Sequence, residues 1–332
     1  MTGHLFPFLE YWWFFASFTG LVAALLVLDL GLFHRKAHAI GFREASVWTA
    51  VWAALALLFC LGLYKYTIWR FGATAGKQVG LEFLTGYVVE WSLSLDNMFV
   101  FVLVFRYFGI PALLQHRILF FGILGALIFR GIFIALGATL LQYGWIVILF
   151  GIFLIFTGIQ MMFSVERPIQ PEQSFIVRLL RKLLPIAPEP EGARFFLRRN
   201  GKLYATPVLL ALAFIEATDI LFAIDSVPAI FAVTREPLIV YTSNVFAILG
   251  LRAMYFLLAD ALTRFHLLRY GLASILVFVG LKMAGLNAVW QGHFPIAISL
   301  IVIMGILAVS IGLSLAFPAS RVPKRLSGGT HR

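Results

Sequence analysis

Charge is scarce in this sequence. Only 12% of its 332 residues are charged, whereas soluble domains carry about 25%. Apolar residues make up 61% of the chain, which is more than the interior of a soluble fold can bury. These two deviations exclude an ordinary soluble domain and predict an integral membrane protein, because lipid can cover the remaining apolar surface.

Cysteine is almost absent, and histidine is absent from the centres of the apolar runs. Cys60 is the single cysteine, which excludes a disulfide within the chain and a thiolate metal cluster. The seven histidines lie at chain ends, in loops or near helix ends, so soft metals would find few ligands. The sequence also lacks a Walker motif and a Gly-x-Gly-x-x-Gly after a strand. We therefore expect no nucleotide, flavin or haem, and no other prosthetic group.

Nine apolar runs are long enough to cross a bilayer, which requires about 20 helical residues. They cover residues 11–33, 46–64, 81–105, 117–140, 144–163, 205–233, 241–260, 269–285 and 293–317. The start of the chain lacks the basic region and cleavage site of a signal peptide, so we expect the first run to be retained. The sequence predicts an all-α polytopic membrane protein with about nine transmembrane helices.

The net charge of +11 is a topology signal, because the basic residues lie in loops between the spans. If the N-terminus is outside, the inner loops and the tail hold 19 Lys and Arg residues and the outer loops hold four. This bias predicts an N-out, C-in orientation. It also removes the reason to expect a nucleic acid partner.

The longest polar segment, residues 164–204, carries eight basic residues and is predicted to be a cytoplasmic loop. Its apolar stretch around 175–184 could lie along an anionic membrane surface, but the composition favours a solvated linker. The segment divides a single membrane domain, 1–332, into parts. These are the first two spans (1–80), a first repeat (81–163), the loop (164–204), a second repeat (205–290), and the last span with a basic tail (291–332).

Spans three and six share one pattern: an acid, five intervening residues, a second acid, and then a small amide or hydroxyl. The residues are Glu90, Asp96 and Asn97 in span three, and Asp219, Asp225 and Ser226 in span six. A repeat of three helices follows from two further matches. Spans four and seven share Ile-Leu-Gly before Arg130 and Arg252, and spans five and eight share Phe-x-Gly before Gln160 and Lys282. Span three enters from outside and span six from inside, so the repeats are predicted to be inverted, which is a transporter architecture.

Acids within spans are costly, by about 2.5–3.5 kcal/mol each on insertion scales. Five of the fifteen acids nevertheless lie inside spans three and six, away from the span edges, and they are Glu90, Asp96, Glu216, Asp219 and Asp225. We expect them to face the bundle interior and to meet a cation, a proton or one another. Ion pairing with the basic residues of the spans is the structural alternative.

The candidate ligands are hard oxygen donors. Besides the carboxylates they include Ser94, Asn97, Ser226 and backbone carbonyls, which suit Mg²⁺, Ca²⁺ and Mn²⁺ rather than copper or zinc. A spacing of six residues leaves two side chains about 120° apart on a regular helix. One site shared by both acids of a span therefore needs a helix break or a cavity that the helix wraps. Pro228 could break span six and free a carbonyl for an ion, and an ordinary kink is the alternative.

The basic residues of the spans are expected to differ in role. Arg130 and Arg252 are predicted to hold carboxylates through bidentate pairs. Lys282 could lose its proton when buried and occupy an empty cation site, or it could form an ion pair or reach the interface. Asp29, near the inner end of span one, is a candidate cytoplasmic ligand or a hydrated helix end. Glu82 and Asp260 lie at span edges, and we assign them no function.

Several stretches resemble the signatures of the TerC/Alx family. They are Phe83-Leu-Thr-Gly86-Tyr-Val-Val-Glu90-Trp-Ser-Leu-Ser-Leu-Asp96-Asn97, Phe222-Ala-Ile-Asp225-Ser226-Val-Pro228, Tyr241-Thr-Ser-Asn244-Val-Phe-Ala-Ile-Leu-Gly250-Leu-Arg252, Gly280-Leu-Lys282-Met283 and Leu28-Asp29-Leu-Gly31. The resemblance runs from span one through span nine. Trp91 departs from the pattern, because many relatives carry a charged or polar residue there.

This resemblance implies a bacterial inner-membrane protein in a family named for tellurite resistance, some of whose members are described as manganese exporters. It implies that Glu90, Asp96, Asp219 and Asp225 form the metal path. We therefore expect a transporter that exports Mn²⁺, in preference to Ca²⁺ or Mg²⁺, with proton antiport as one option. The alternative is a membrane accessory or scaffold protein for metal loading of exported enzymes or for metal and tellurite stress. We expect membrane lipid as a partner, and the sequence identifies no protein partner.

An enzyme is not expected. An intramembrane aspartyl protease would also need two membrane aspartates, but the sequence shows no Gly-x-Gly-Asp motif.

Overall fold

The structure is a computed structural model. It describes residues 4–33, 41–164, 174–187, 194–199, 201–259, 267–290 and 294–317, together with the single residues 171, 192 and 265. Within these residues, nine helices are long and apolar enough to cross a membrane. The predicted class, an all-α polytopic membrane protein, is confirmed.

The helices follow the predicted apolar runs closely. They are α1 (Phe8–Phe33), α2 (Phe42–Phe71), α3 (Ala73–Tyr107), α4 (Ala112–Leu140), α5 (Gly144–Phe163), α6 (Phe175–Leu183), α7 (Pro207–Phe231), α8 (Pro237–Leu258), α9 (Leu268–Leu281), α10 (Asn287–Val289) and α11 (Ile296–Ala316). A π-helical turn, Lys282–Leu286, extends α9. The spanning helices are α1 to α5, α7 to α9 with its π-helical turn, and α11.

The predicted loop between spans two and three is largely helical. The two helices α2 and α3 are separated by Gly72 alone, whose φ of +92° lies in a region that side chains disfavour. A glycine at this position lets the chain reverse within one residue. As a consequence α3 has 35 residues and is about 52 Å long at 1.5 Å per residue, well beyond a bilayer core of about 30 Å.

The bundle is organised around α8. In its most apolar 18-residue window 94% of the residues are buried inside the protein, compared with 17% for α1. Helix α8 packs against α2, α3 and α4, while α4 also packs along α7 and α5 along α9. If the two repeats are exchanged, the pair α3–α8 becomes α7–α4 and the pair α5–α9 becomes itself. The helix pairing is therefore the one that a twofold relation between the repeats would produce.

Helices α5 and α9 cross at small residues. A side chain at Gly151 would meet the carbonyl of Gly280, and one at Gly158 would meet the carbonyl of Ala273. Residue numbers rise along α5 as they fall along α9, so the two helices run antiparallel. Antiparallel packing of equivalent helices is what an inverted repeat requires of this pair. The repeat and the orientation in the membrane stay predictions.

Residues 174–205 are folded wherever the structure describes them. They contain α6 and a two-stranded antiparallel hairpin, β1 (Phe196–Arg199) and β2 (Lys202–Ala205). The hairpin is held to the start of α7, because Thr206 Oγ1 donates to the carbonyl of Arg194 and accepts from the amide of Leu209. A solvated linker, which the composition favours, does not describe this part of the segment.

Helix α7 continues through Pro228 without interruption. Pro228 therefore does not break span six, whose helix is described over its full length. The two acids of α7 are accordingly separated around the helix, as a regular geometry requires.

Candidate functional site

Arg130 on α4 binds two acids that occupy equivalent positions in the two predicted repeats. Its Nη1 donates to Glu90 Oε1 and, at 2.9 Å, to Asn244 Oδ1. Its Nη2 lies 3.6 Å from Asp219 Oδ1. All four side chains are buried, and Arg130 is only 2% exposed. We call Glu90 and Asp219 the arginine-bound pair, and the expected bidentate grip on one carboxylate is replaced by a bridge between two.

Two further donors complete this network. Ser94 Oγ donates to Glu90 Oε1 at 3.2 Å, and Asn97 Nδ2 donates to Asp219 Oδ1 at 3.4 Å. Within the described residues, the second oxygens Glu90 Oε2 and Asp219 Oδ2 are buried and have no hydrogen-bond partner. Buried acceptors of this kind are uncommon and can accept a proton or a cation.

The other equivalent acids, Asp96 and Asp225, line a cavity of about 270 Å³. We call them the cavity pair. Both are half-buried, and Asp225 is hydrogen-bonded to Thr157 of α5. The polar side chains around the cavity are Asp96, Asn97, Arg130, Thr157, Gln160, Ser164, Asp225 and Ser226. Arg130 and Asn97 thus belong both to the arginine network and to the cavity wall.

The cavity extends to one end of the bundle. Gln160 and Ser164, in the last turn and at the C-cap of α5, are exposed. Ser226 Oγ, on the wall beside Asp225, is buried and has no hydrogen-bond partner among the described residues. The cavity therefore joins the carboxylates of the bundle interior to the protein surface.

The donor set is rich in oxygen and modest in charge. Among the described residues, no three His, Cys, Asp or Glu side chains come close enough together to hold a metal ion. A cation in this cavity would meet two carboxylates, and neutral donors such as Thr157, Gln160 and Ser226 would supply the remaining oxygens. Such a set suits an ion that must leave again more than one bound permanently.

Glu216 belongs to neither pair, although its charge interacts with that of Asp219. Its carboxylate lies against Gly125 of α4, where a side chain on the glycine would collide with it. Arg252 is 4% exposed and lines, with Asp219, a second cavity of about 20 Å³. Asp29 is part of helix α1, but the structure does not describe its side chain. Asp260 lies outside the described residues altogether.

Lys282 lies away from the cavity pair. It is 3% exposed, in the π-helical turn, with its Nζ 5.8 Å from the centre of the Phe294 ring. The nearest charge with which it interacts is that of Glu82. Glu82 is itself buried and accepts from Gln78 Nε2 at 2.9 Å and from Thr234 Oγ1 at 2.5 Å. Lys282 therefore lines neither of the two cavities described above.

Three polar residues of the bundle, Thr157, Gln160 and Glu82, are not among the candidates that the sequence predicts. Thr157 and Gln160 flank Gly158 in the motif shared by spans five and eight, and this periodic signal could have identified them as cavity residues. Glu82 was assigned to a span edge, because the apolar run begins beside it. The early start of α3 places it inside the bundle instead.

The family comparison covers most of the chain. Residues 75–321 match the integral membrane protein TerC family. This range contains both acid pairs and the whole cavity wall. No solved structure matches the chain significantly.

Relatives match over nearly their full length. An uncharacterized membrane protein of Myxococcus xanthus is 50% identical over 301 residues, which is 90% of this chain and 91% of that protein. The Escherichia coli K12 protein provisionally named membrane-bound redox modulator Alx is 47% identical over 296 residues, 89% of this chain and 91% of that protein. An uncharacterized membrane protein of Rickettsia felis is 41% identical over 302 residues, 90% of this chain and 96% of that protein.

Proposed function

The chain belongs to the integral membrane protein TerC family, and from this premise we propose that it exports a divalent metal cation through the cavity of Asp96 and Asp225. Mn²⁺ is the proposed ion, ahead of Ca²⁺ and Mg²⁺. The bacterial inner membrane is the proposed location. The observation that carries the proposal is a pair of intramembrane carboxylates in a cavity that reaches one end of the bundle.

The chemistry of the cavity wall favours a hard cation. Carboxylate, amide and hydroxyl oxygens suit Mg²⁺, Ca²⁺ and Mn²⁺, whereas copper and zinc favour sulfur and imidazole. Met161 is the sulfur-bearing residue among those that line the cavity. Its thioether is a soft ligand, but the oxygen donors of the wall outnumber it. The charge of the ion is also favoured, because a divalent cation compensates the negative charges of two carboxylates.

The direction of transport follows from the predicted orientation. With the N-terminus outside, the end of α5 at Ser164 faces the cytoplasm, so the cavity would load from the cytoplasm. At the opposite end, the buried side chains of Glu82 and Thr234 are joined by a hydrogen bond, and the exposed Gln78 also donates to Glu82. A cavity loaded from inside and closed at the outer end is the starting state of an exporter that works by alternating access.

Proton antiport gives the arginine-bound pair a role. Glu90 Oε2 and Asp219 Oδ2 are buried acceptors beside the cavity, and Asn97 connects Asp219 to the cavity wall. We propose that a cation arriving at the cavity pair displaces protons held by Asp96 and Asp225, and that Glu90 Oε2 and Asp219 Oδ2 accept these protons transiently. Arg130 would hold Glu90 and Asp219 in position during this exchange.

The test is Mn²⁺ flux in proteoliposomes that contain wild-type protein, Asp96→Asn or Asp225→Asn, with an internal pH dye. Each substitution removes a negative charge without a change in volume. We expect the flux of both variants to fall to that of empty liposomes, and proton movement to disappear with it. Glu10→Gln is the matched control, because Glu10 is an exposed acid of α1 outside the cavity.

Three outcomes are informative. Flux that survives in both Asp variants would refute the carboxylate path. Stronger inhibition of Mn²⁺ flux by Ca²⁺ or Mg²⁺ than by unlabelled Mn²⁺ would change the assigned ion. If folded wild-type protein moves no cation at all, the transporter proposal is wrong.

The second candidate is an accessory or scaffold role in metal loading or metal stress. The folded basic segment, residues 174–205, favours it, because a partner could bind there. The name of the Escherichia coli relative points to redox modulation, but in this chain the single cysteine, Cys60, is buried in α2. Thiol exchange between two cysteines of one chain is therefore excluded here.

A further inference from the structure

Helix α6 presents three different faces. Val177 is fully buried, and Ile176 and Leu180 pack with it against the first turns of α7. Phe175 and Leu183 are 74% and 67% exposed. Leu179 lies between them, and the three residues, four apart, form a stripe about 80° wide. The bundle therefore covers one apolar face of α6 and leaves a second apolar stripe of the same helix exposed.

The third face is basic. Arg178, Arg181 and Lys182 occupy the arc that adjoins the exposed stripe, on the side away from α7. A helix with an apolar stripe bordered by basic residues has the pattern of helices that lie at a membrane surface. In such a helix the apolar side chains enter the acyl boundary and the basic ones contact headgroups.

The hairpin repeats this combination. Phe196 and Leu203 are 48% and 47% exposed, and Arg198 is also exposed. The three share one face of the hairpin. Residues 196 and 198 are two apart along β1, so their side chains lie on the same side, and Arg198 pairs with Leu203 of β2. The hairpin is attached to the chain after α6 by the bridge between Ile186 and Ala205. Two separate elements thus expose apolar and basic side chains together.

The position of these elements sets their depth. Both are fixed to the first residues of α7, where a membrane span begins. Every charged side chain among the described residues of 174–205 is basic. We define the basic platform as Phe175, Arg178, Leu179, Lys182, Leu183, Phe196, Arg198 and Leu203.

We propose that the basic platform binds anionic phospholipid headgroups of the bilayer in which the protein sits. The end of α7 fixes the platform at the level where headgroups lie, so the occupant is present without diffusion of a partner. The charge is complementary, because Lys and Arg side chains near such a surface are attracted to anionic headgroups. An acidic soluble protein would match the charge but would leave the exposed apolar stripe without a hydrocarbon environment.

The experiment uses the full chain with one reporter. Cys60→Ala removes the single cysteine, and Leu179→Cys then carries an environment-sensitive fluorophore. The protein is placed in nanodiscs of phosphatidylcholine alone or of phosphatidylcholine with one quarter phosphatidylglycerol, with quenchers attached to the lipid chains. We expect quenching to be about twofold greater in the anionic discs, and high salt to remove the difference.

A matched pair of charge variants tests specificity. Arg178→Gln, Lys182→Gln and Arg198→Gln together neutralise the platform and should abolish the difference between the two lipids. Lys65→Gln, Arg70→Gln and Lys77→Gln remove as many exposed charges at the opposite end of the bundle and should leave the difference unchanged.

Some results would overturn the proposal. A fluorophore that stays in water in both discs would show that the platform does not contact lipid. Equal quenching in the two lipids would show apolar contact without headgroup binding. A fluorophore that leaves water only when several proteins share a disc, without being quenched by the lipid, would show that the platform binds a second copy of the chain. None of these readouts depends on cation transport.

Discussion

Helices α3 and α7 each carry two acids six residues apart, one from the arginine-bound pair and one from the cavity pair, and the two pairs have different surroundings in the fold. Glu90 and Asp219 are fully enclosed and share Arg130, whereas Asp96 and Asp225 line a cavity that reaches the surface. In both pairs the members are equivalent in the two repeats. The six-residue spacing explains the division, because a regular helix turns the second acid about 120° away from the first.

The comparison shows how one helix can use two acids for different purposes. A buried acid with a buried Arg contributes to the fold, since removal of either leaves an uncompensated charge. An acid on a cavity wall keeps access to water and ions. Substitutions in the arginine-bound pair should therefore affect stability most, and substitutions in the cavity pair should affect cation binding most.

The largest expected effect is that of Arg130→Ala. It would leave Glu90 and Asp219 buried together without their shared cation, and breaking a buried ion pair costs about 3–5 kcal/mol. We expect a much lower yield of folded protein, measured by size-exclusion chromatography in detergent. The matched change Arg117→Ala removes an Arg of the same helix that stacks on Phe121 and Phe195 near the bundle end. A normal yield of Arg130→Ala with lost flux would instead move Arg130 into the transport mechanism.

Ligand binding should stabilise through the cavity pair alone. Mn²⁺ at 100 times its dissociation constant should raise the free energy of unfolding by about 2.7 kcal/mol, since it binds the folded state. We expect a rise in the thermal midpoint of the wild type and none in Asp225→Asn. A rise of equal size in Asp225→Asn would place the bound ion elsewhere.

A smaller loss of stability is expected for Glu90→Gln. The change preserves shape but removes a charged acceptor from Arg130, and hydrogen bonds to charged groups contribute about 1.5–3 kcal/mol. Arg130 would retain Asn244 and Asp219, which limits the loss. Thermal unfolding measures it, and an unchanged midpoint would show that Glu90 is protonated in the wild type.

The smallest effect on stability is expected for Asp96→Asn, because the amide keeps the shape of a side chain that is only half-buried on the cavity wall. Its effect on flux should be total. The contrast between Glu90→Gln and Asp96→Asn on the same helix α3 is the sharpest test of the division. It fails if Asp96→Asn also unfolds the protein.

The spans could be read from the sequence, because bilayer thickness sets the length of each apolar run. The burial of the acids could be predicted as well, since lipid cannot accept them. The partner of each acid could not, because it depends on how the helices are rotated against one another. Contacts such as Gly125 with Glu216, and Gly158 with Ala273, set that rotation, and they join residues far apart in the chain.

Glu82 illustrates a different limit. Hydropathy places the start of span three beside it, but α3 begins at Ala73, after a reversal at Gly72. An acid that seemed to face water at a helix end is therefore surrounded by Gln78, Thr234 and the charge of Lys282. Apolar composition reports the thickness of the lipid, and it does not report how far a helix continues beyond it.

The size of the cavity bears on how an ion sheds its water. At about 30 Å³ per molecule, a shell of six waters occupies about 180 Å³, and the cavity measures about 270 Å³. The volume is therefore sufficient for a cation that still carries water when it enters the cavity. Binding of Asp96 and Asp225 would then replace part of that water, and the energy needed to remove it would discriminate Mn²⁺ from the more tightly hydrated Mg²⁺.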